Sequence, residues 1–324
     1  MSAPPRIVVV GSYNEDHAWQ VERLPALGET LPGSGHRTGP GGKGFNQAVA
    51  CARLDVPTAF IGARGTDPAG IAAVQRAATE GLDARWQVCD DVPTGSACVL
   101  LGPGDNAIVV ALGANEALAA AHLDAQAALF ASAGCVLLQG ETNCAALTRA
   151  LDLAERHRLV RVLNPAPAVA WIDAALLARC EVLTPNETEF TQLVARCTGD
   201  RIAPDAVAGM ADPALDALCR KLGAPHVVIT LGAAGCFVSQ SRGTAIGVGG
   251  ERCFRLAAEP AHVVDTAGAG DCFNGALVAA LARDANTKLR DAVIYANRCA
   301  ALKTERHGTT EGMPRAADVI ARFG

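Results

Sequence analysis

Val263-Val-Asp265-Thr-Ala-Gly-Ala-Gly-Asp271-Cys-Phe-Asn-Gly275 passes from an apolar pair, through Asp265 and then Thr, Ala and Gly only, into a helical repeat. Val263 and Val264 are expected to end a strand and Asp271 to open a helix, with Phe273, Leu277, Ala280 and Leu281 on one face. Strand, small-residue turn and helix in that order make one unit of an α/β protein, and the rest of the chain repeats the unit. Short apolar runs at 7–10, 58–62, 135–139, 160–163, 181–183, 227–230 and 236–238 read as strands. Helical patterns lie between them, such as Phe45, Ala48, Val49 and Ala52. Near-continuous apolar strands alternating with helices predict a mostly parallel sheet covered on both faces. Two regions break the rhythm. The stretch 13–40 carries no helical pattern, and 96–110 reads as strand, turn at 102–106, strand. Both are expected in a small β flap, and 198–213 as a surface loop.

Composition narrows the function. The 324 residues are 50% hydrophobic and 19% charged, enough for a large core and too apolar for a disordered chain. With 28 basic and 33 acidic residues the formal charge is −5, and only 4% of residues are aromatic. Nucleic acid is therefore not an expected partner, lacking both a basic surplus and stacking platforms. No apolar run approaches the length of a membrane span, and 7–10 is too short for a signal-peptide core, so a cytoplasmic protein is expected. The 12 cysteines include no C-x-x-C pair and are read as small hydrophobes in a reducing compartment. The seven histidines are scattered, without the spacing of a transition-metal site.

Three segments could carry chemistry. The 265–271 turn can aim free backbone N–H groups at an anion, aided by the positive end of the helix dipole. Asp271 in the first turn could then accept a proton from an attacking hydroxyl. An acidic helix cap after a glycine-rich turn fits the same residues. Gly39-Pro-Gly-Gly42-Lys43-Gly-Phe-Asn46-Gln-Ala48 allows backbone to approach a ligand ahead of a helix, but its spacing is not that of a Walker A loop. No G-x-G-x-x-G follows a strand, which argues against a dinucleotide-dependent oxidoreductase. Gly11-Ser-Tyr-Asn14-Glu-Asp16 follows the first strand, where ligands gather in parallel sheets, so Asn14 and Asp16 suit hydroxyl recognition; an ordinary Asx turn is the alternative.

Taken together with Leu163-Asn-Pro-Ala-Pro167 and Thr184-Pro-Asn-Glu-Thr-Glu189, these segments resemble, in order and spacing, the ribokinase family of sugar and nucleoside kinases. The likeness runs from Arg6 to about Pro314. It implies a three-layer α/β/α fold in a single domain over 1–324, with a β lid built from about 13–40 and 96–110 and a homodimer formed through that lid. It implies ATP-dependent phosphorylation of the D-ribose 5-hydroxyl, with Asp271 as base and Gly268, Ala269 and Gly270 as anion hole. The sugar contacts it implies are Asn14, Asp16, Gly42, Lys43, Asn46 and Glu141, besides Asp271. For ATP and its Mg2+ it implies Asn186, Glu189, Thr230, Leu231, Gly232, Gly235, Gly270 and Asn297. It also implies an activating K+ held by the Asp265 carboxylate and the carbonyls of Ala267, Lys303, Arg306 and Gly308. There the chain departs from the pattern: Glu311-Gly312 stands where the family often has Pro-Ser, so Gly312 could offer only a carbonyl. Glu15, between two sugar-reading positions, is also unusual, and Cys272 is expected to pack.

A polar ring of Asn14, Asp16, Lys43, Asn46 and Glu141 suits a compact polyhydroxyl molecule. For a nucleoside base, the flap offers only Tyr13 and Trp19 as shelves. Kinases of this type acting on deoxyribose, a ketose, a sugar acid or a nucleoside are the near alternatives. A non-catalytic sugar sensor is the distant one, since it would need neither Asp271 nor the anion turn.

Overall fold

The computed structural model describes residues 6–102 and 105–324. Its strands are β1 (Ile7–Val10), β2 (Asn14–Gln20), β3 (Gly35–Gly41), β4 (Thr58–Gly65), β5 (Asp83–Cys89), β6 (Gly95–Gly102), β7 (Asp105–Ala111), β8 (Cys135–Gln139), β9 (Val160–Asn164), β10 (Val182–Leu183), β11 (His226–Thr230), β12 (Cys236–Gln240) and β13 (Cys253–Leu256). Nine of them form one sheet in the order β13-β12-β11-β10-β9-β8-β1-β4-β5, parallel from β11 to β5 and antiparallel at β11–β12 and β12–β13. A second sheet has the order β3-β2-β6-β7.

Strand β1 shows why the large sheet is covered on both sides. Ile7 and Val9 enter one buried cluster with Phe45, Val49, Phe273 and Leu277; Val8 and Val10 enter the other with Leu147, Leu151 and Phe190. Successive side chains point to opposite faces, so an all-apolar strand must be packed from above and below. This is the doubly covered α/β architecture anticipated from the alternating runs. No helix among the described residues is long and apolar enough to cross a membrane.

Several expectations need correction. Val263 and Val264 belong to no strand; they are exposed, and the N–H groups of Val264 and Asp265 donate to the carbonyl of Thr304, at the end of the helix Leu289–Thr304. An apolar pair is too short to pair in the sheet once that helix end takes its donors. The stretch 198–213 is not a bare loop: it holds a 3-10 helix over Pro204–Gly209, whose Val207 is buried, and the start of the helix Asp212–Lys221. Strands β5 and β13 were not anticipated; β5 (DARWQVC) is half-polar and β13 is four residues long, and both sit at sheet edges where an apolar run is not required. The turn expected at 102–106 includes residues 103 and 104, which lie outside the described residues.

Two helices, Lys43–Arg53 and Ala269–Arg283, cross at close range over one face of the sheet. A Cβ at Gly275 would come within 2.5 Å of Ala50 Cβ and 2.7 Å of the Gln47 carbonyl oxygen. Gly275→Val should therefore push the helices apart and lower unfolding free energy by about 1–3 kcal/mol, the usual cost of overpacking. Urea unfolding reads this directly, and an unchanged midpoint would contradict the close approach.

Candidate active site

The sheet fixes where ligands can gather. From β1 the chain steps to β4 and β5 on one side, then returns to β8 on the other side of β1. Where a parallel sheet reverses its winding, the loops at the carboxyl ends of the two central strands diverge and leave a crevice. The loop after β1 places Asn14 there and the loop after β8 places Glu141. Ser12 Oγ donates to Glu141 Oε2 at 2.5 Å, and the Lys43 backbone N–H donates to the same oxygen at 2.9 Å. Gly42, at φ +86°, makes the turn into the helix Lys43–Arg53; a Cβ there would lie 2.9 Å from the Asn14 nitrogen.

Asp271 lies in the first turn of its helix and is 8% exposed. Asn46 Nδ2 donates to its Oδ2 and Gln47 Nε2 to its Oδ1, each at 2.9 Å. Behind these donors runs a buried relay. Gln139 Nε2 donates to Gln47 Oε1 at 2.7 Å, Gln47 Nε2 also contacts Asn164 Oδ1 at 3.0 Å, and Asn164 Nδ2 donates to the Thr184 carbonyl at 2.9 Å. Thr184 Oγ1 donates to Asn274 Oδ1, and Asn274 Nδ2 returns to the Gly270 carbonyl at 2.9 Å. The carboxylate is thus held from outside its own helix while its remaining lone pairs stay available.

Ahead of Asp271, the N–H groups of Gly268, Gly270 and Asp271 have no acceptor among the described residues. Ala269 differs from expectation: its N–H donates to the Thr266 carbonyl at 3.1 Å, closing the turn. The turn divides two cavities. Asp265 and Ala267 line one of about 260 Å³ with Asp16, Thr38, Gly308 and Glu311. Thr266 and Ala269 line another of about 530 Å³ with Gly232, Ala258, Pro260 and Asn297, a largely apolar cleft.

The charges converge. Burial first, then the charges of Glu141, Asp271, Glu15 and Glu311, push the Asp16 carboxyl up to about 7. Burial disfavours the Lys43 ammonium, but the Asp271, Glu141, Glu189 and Asp16 carboxylates outweigh it and raise its pKa. A strongly acidic pocket with one half-buried lysine suits a neutral ligand rich in hydroxyls better than an anion alone.

The other expected residues fall as follows. Asn186 and Glu189 bond each other as a capping box, with Asn186 Oδ1 accepting from the Glu189 N–H at 2.8 Å and Glu189 Oε2 accepting in return at 2.9 Å. Burial raises the Glu189 pKa, against the pull of that backbone bond and of Lys43. Thr230 bridges to Asn186. The Leu231 side chain is buried in the core, so only its backbone can meet a ligand; Gly232 and Gly235 complete the turn beyond it. Asn297 Nδ2 donates to the Ala257 carbonyl at 2.7 Å. Tyr13 is no shelf: it is fully buried, edge-on to Phe45 and Trp86. Glu15 pairs with Arg76 at 2.6 Å, tying β2 to the helix Pro68–Thr79. Cys272 is buried, as expected for packing. Unforeseen participants are Gln47, Gln139, Asn274, Thr310, which donates to Asn46 Oδ1 at 2.7 Å, and Asn115, which donates to Asn14 Oδ1 at 2.9 Å.

Among the described residues no cluster of three or more His, Cys, Asp and Glu side chains could cage a metal ion. The donor set implied for K+ does not fit a free ion. Both Asp265 oxygens accept backbone N–H groups at 2.9 Å, from Ala267 and Gly308, and the buried Lys303 Nζ itself donates to the Asp265 carbonyl at 3.0 Å and the Arg306 carbonyl at 3.2 Å.

The chain is similar to known proteins over nearly its whole length. The pfkB family carbohydrate kinase model matches residues 4–316. A ribokinase of Haemophilus influenzae is 34% identical over 316 residues, 97% of each chain, and one of Mus musculus is 33% identical over 97% of this chain and 93% of that one. The structure of ribokinase from Giardia lamblia superposes with a TM-score of 0.87 at 27% identity, covering 99% of this chain and 100% of that one. That of Arabidopsis thaliana ribokinase complexed with ribose and ATP gives 0.78 at 29% identity over 98% of both. With the family model spanning nearly the whole sequence, the chain belongs to the pfkB family of carbohydrate kinases.

Proposed function

We propose that this protein is an ATP-dependent ribokinase converting D-ribose and ATP to D-ribose 5-phosphate and ADP. The observation that carries the proposal is Asp271, a buried carboxylate fixed by two side-chain amides beside backbone N–H groups that lack acceptors. Curated relatives named ribokinase, and a similar structure complexed with ribose and ATP, support the choice of sugar and nucleotide.

The chemistry asks for alignment and charge neutralisation more than covalent work. Ribose sits in the β1–β8 crevice against Asn14, Asp16, Gly42, Lys43, Asn46 and Glu141, with its 5-hydroxyl at Asp271. ATP enters as its Mg2+ complex, base and ribose in the apolar cleft by Gly232 and Asn297, phosphates passing Asn186 and Glu189 toward the 268–271 turn. The 5-oxygen attacks the γ-phosphorus, its proton passes to an Asp271 oxygen, and the bond to the β-phosphate oxygen breaks as ADP leaves. The N–H groups of Gly268 and Gly270 face the charge that builds on the transferring group, at the positive end of the helix dipole. The four-stranded sheet serves as a lid within one kinase unit, excluding water. A second copy pairs across the lid through β7, where Ile108, Val109 and Val110 are exposed. Light scattering should give twice the single-chain mass, and Val109→Glu should halve it; a monomeric wild type removes the dimer.

Asp271→Asn should keep the fold and ribose affinity while lowering kcat by about 100- to 10,000-fold, the range for loss of a general base. Steady-state kinetics against a panel of ribose, deoxyribose, ketoses and nucleosides tests both chemistry and substrate. Near-normal turnover in the variant removes Asp271 from the mechanism, and higher kcat/KM for a nucleoside than for ribose overturns the substrate.

Asp16 sets a pH dependence. Below about pH 7 its carboxyl is protonated in the free enzyme; above, the carboxylate can accept from two sugar hydroxyls. The Glu15, Glu141, Asp271 and Glu311 carboxylates and the Lys43 ammonium all act on it. The KM for ribose should fall as pH rises from 6 to 8, and Asp16→Asn should raise KM and flatten that slope. A wild-type KM indifferent to pH across this window contradicts the assignment.

A further inference from the structure

Lys303 sits in the last turn of the helix Leu289–Thr304 with no exposed surface, and the site just described gives its charge no role. Its surroundings call for a cation. The helix ends here, so its C-terminal carbonyls concentrate partial negative charge. The Thr304 carbonyl takes the N–H groups of Val264 and Asp265, which brings the Asp265 carboxylate to the same place. Lys303 Nζ then donates to the main-chain oxygens of Asp265 at 3.0 Å and Arg306 at 3.2 Å, joining the 265–268 turn to the loop that follows the helix.

Gly312 packs beside this arrangement. A Cβ at position 312 would lie 2.7 Å from the Gly308 carbonyl oxygen, 3.0 Å from Lys303 Cε and 3.1 Å from the His307 carbonyl oxygen, so the loop backbone first and the lysine stem second leave no room for a side chain there. Burial lowers the Lys303 pKa and the Asp265 charge opposes it. A buried ammonium is tolerated only where oxygens replace its water.

We propose that the Lys303 ammonium is a resident, covalently tethered cation that takes the place of an activating monovalent ion. It is a positioning residue: it touches neither sugar nor phosphate, and acts by fixing the turn whose N–H groups face the transferring group. The enzyme therefore needs no K+. The inference rests on the kinase activity proposed above only for its kinetic readout.

The test compares wild type, Lys303→Ala and Lys303→Met in tetramethylammonium, sodium, potassium and ammonium chlorides at fixed ionic strength, following ADP formation with ribose and ATP. Wild-type rates should agree within about twofold in all four salts. Lys303→Ala, which vacates the ammonium's place, should lose at least tenfold in tetramethylammonium and recover severalfold in potassium or ammonium. Lys303→Met, which fills the stem space without charge, should lose activity and not recover. In parallel, thermal melts titrated with K+ or Tl+ need no activity: Lys303→Ala should gain stability and wild type should not. Tenfold activation of wild type by K+, or a K+-dependent rise in its melting temperature, overturns the proposal, as does a fully active Lys303→Met in tetramethylammonium. If wild type phosphorylates no sugar while the melts behave as stated, the ribokinase assignment fails and the tethered cation stands.

Discussion

A carboxylate taken out of water at a helix start must find donors, and Asp271 finds them on another helix. An unpaired buried charge costs several kcal/mol, so the bonds from Asn46 and Gln47 lock the helices Lys43–Arg53 and Ala269–Arg283 into one relative placement. Gly275 permits that placement by letting the backbones approach. The relay through Gln139, Asn164, Thr184 and Asn274 then ties the pair to the carboxyl ends of β8 and β9 and back to the Gly270 carbonyl. Fold and site are in this sense one hydrogen-bonded object.

Electrostatics divides the site along the 265–269 turn. On one side, Asp16, Glu141, Asp271 and Glu311 crowd together with the Lys43 ammonium among them. On the other, an apolar cleft meets a helix N-terminus. Carboxylates in a low-dielectric pocket want hydroxyl donors, whereas a phosphate chain wants N–H donors and positive dipole ends. The two sides of the turn thus offer different chemistry, with Asp271 at the boundary. At the helix end by Thr304, backbone N–H groups of Val264 and Asp265 take the Thr304 carbonyl, and Lys303 Nζ bonds the nearby carbonyls of Asp265 and Arg306.

Much of this was legible in the sequence. The all-apolar run at 7–10 could only be a strand packed on both faces, and Asp271 was marked by the small-residue turn before it. Gln47, Asn164 and Thr184 lay inside segments already singled out, but nothing in a linear pattern says that side chains more than 200 residues from Asp271 will meet it, as Asn46 and Gln47 do. Val263-Val264 misled because a strand needs partners, and the end of the Leu289–Thr304 helix took its donors first. For Lys303 the resemblance implies a carbonyl alone, since a long side chain does not declare in sequence which way its charge will point.

The most direct measurement is a crystal structure of the protein with D-ribose and a non-hydrolysable ATP analogue. The account expects the ribose 5-oxygen within about 2.6–3.2 Å of an Asp271 carboxylate oxygen and the γ-phosphate seated on the N–H groups of Gly268, Gly270 and Asp271. A carboxylate turned away from the sugar, with the terminal phosphate lodged elsewhere, would contradict it.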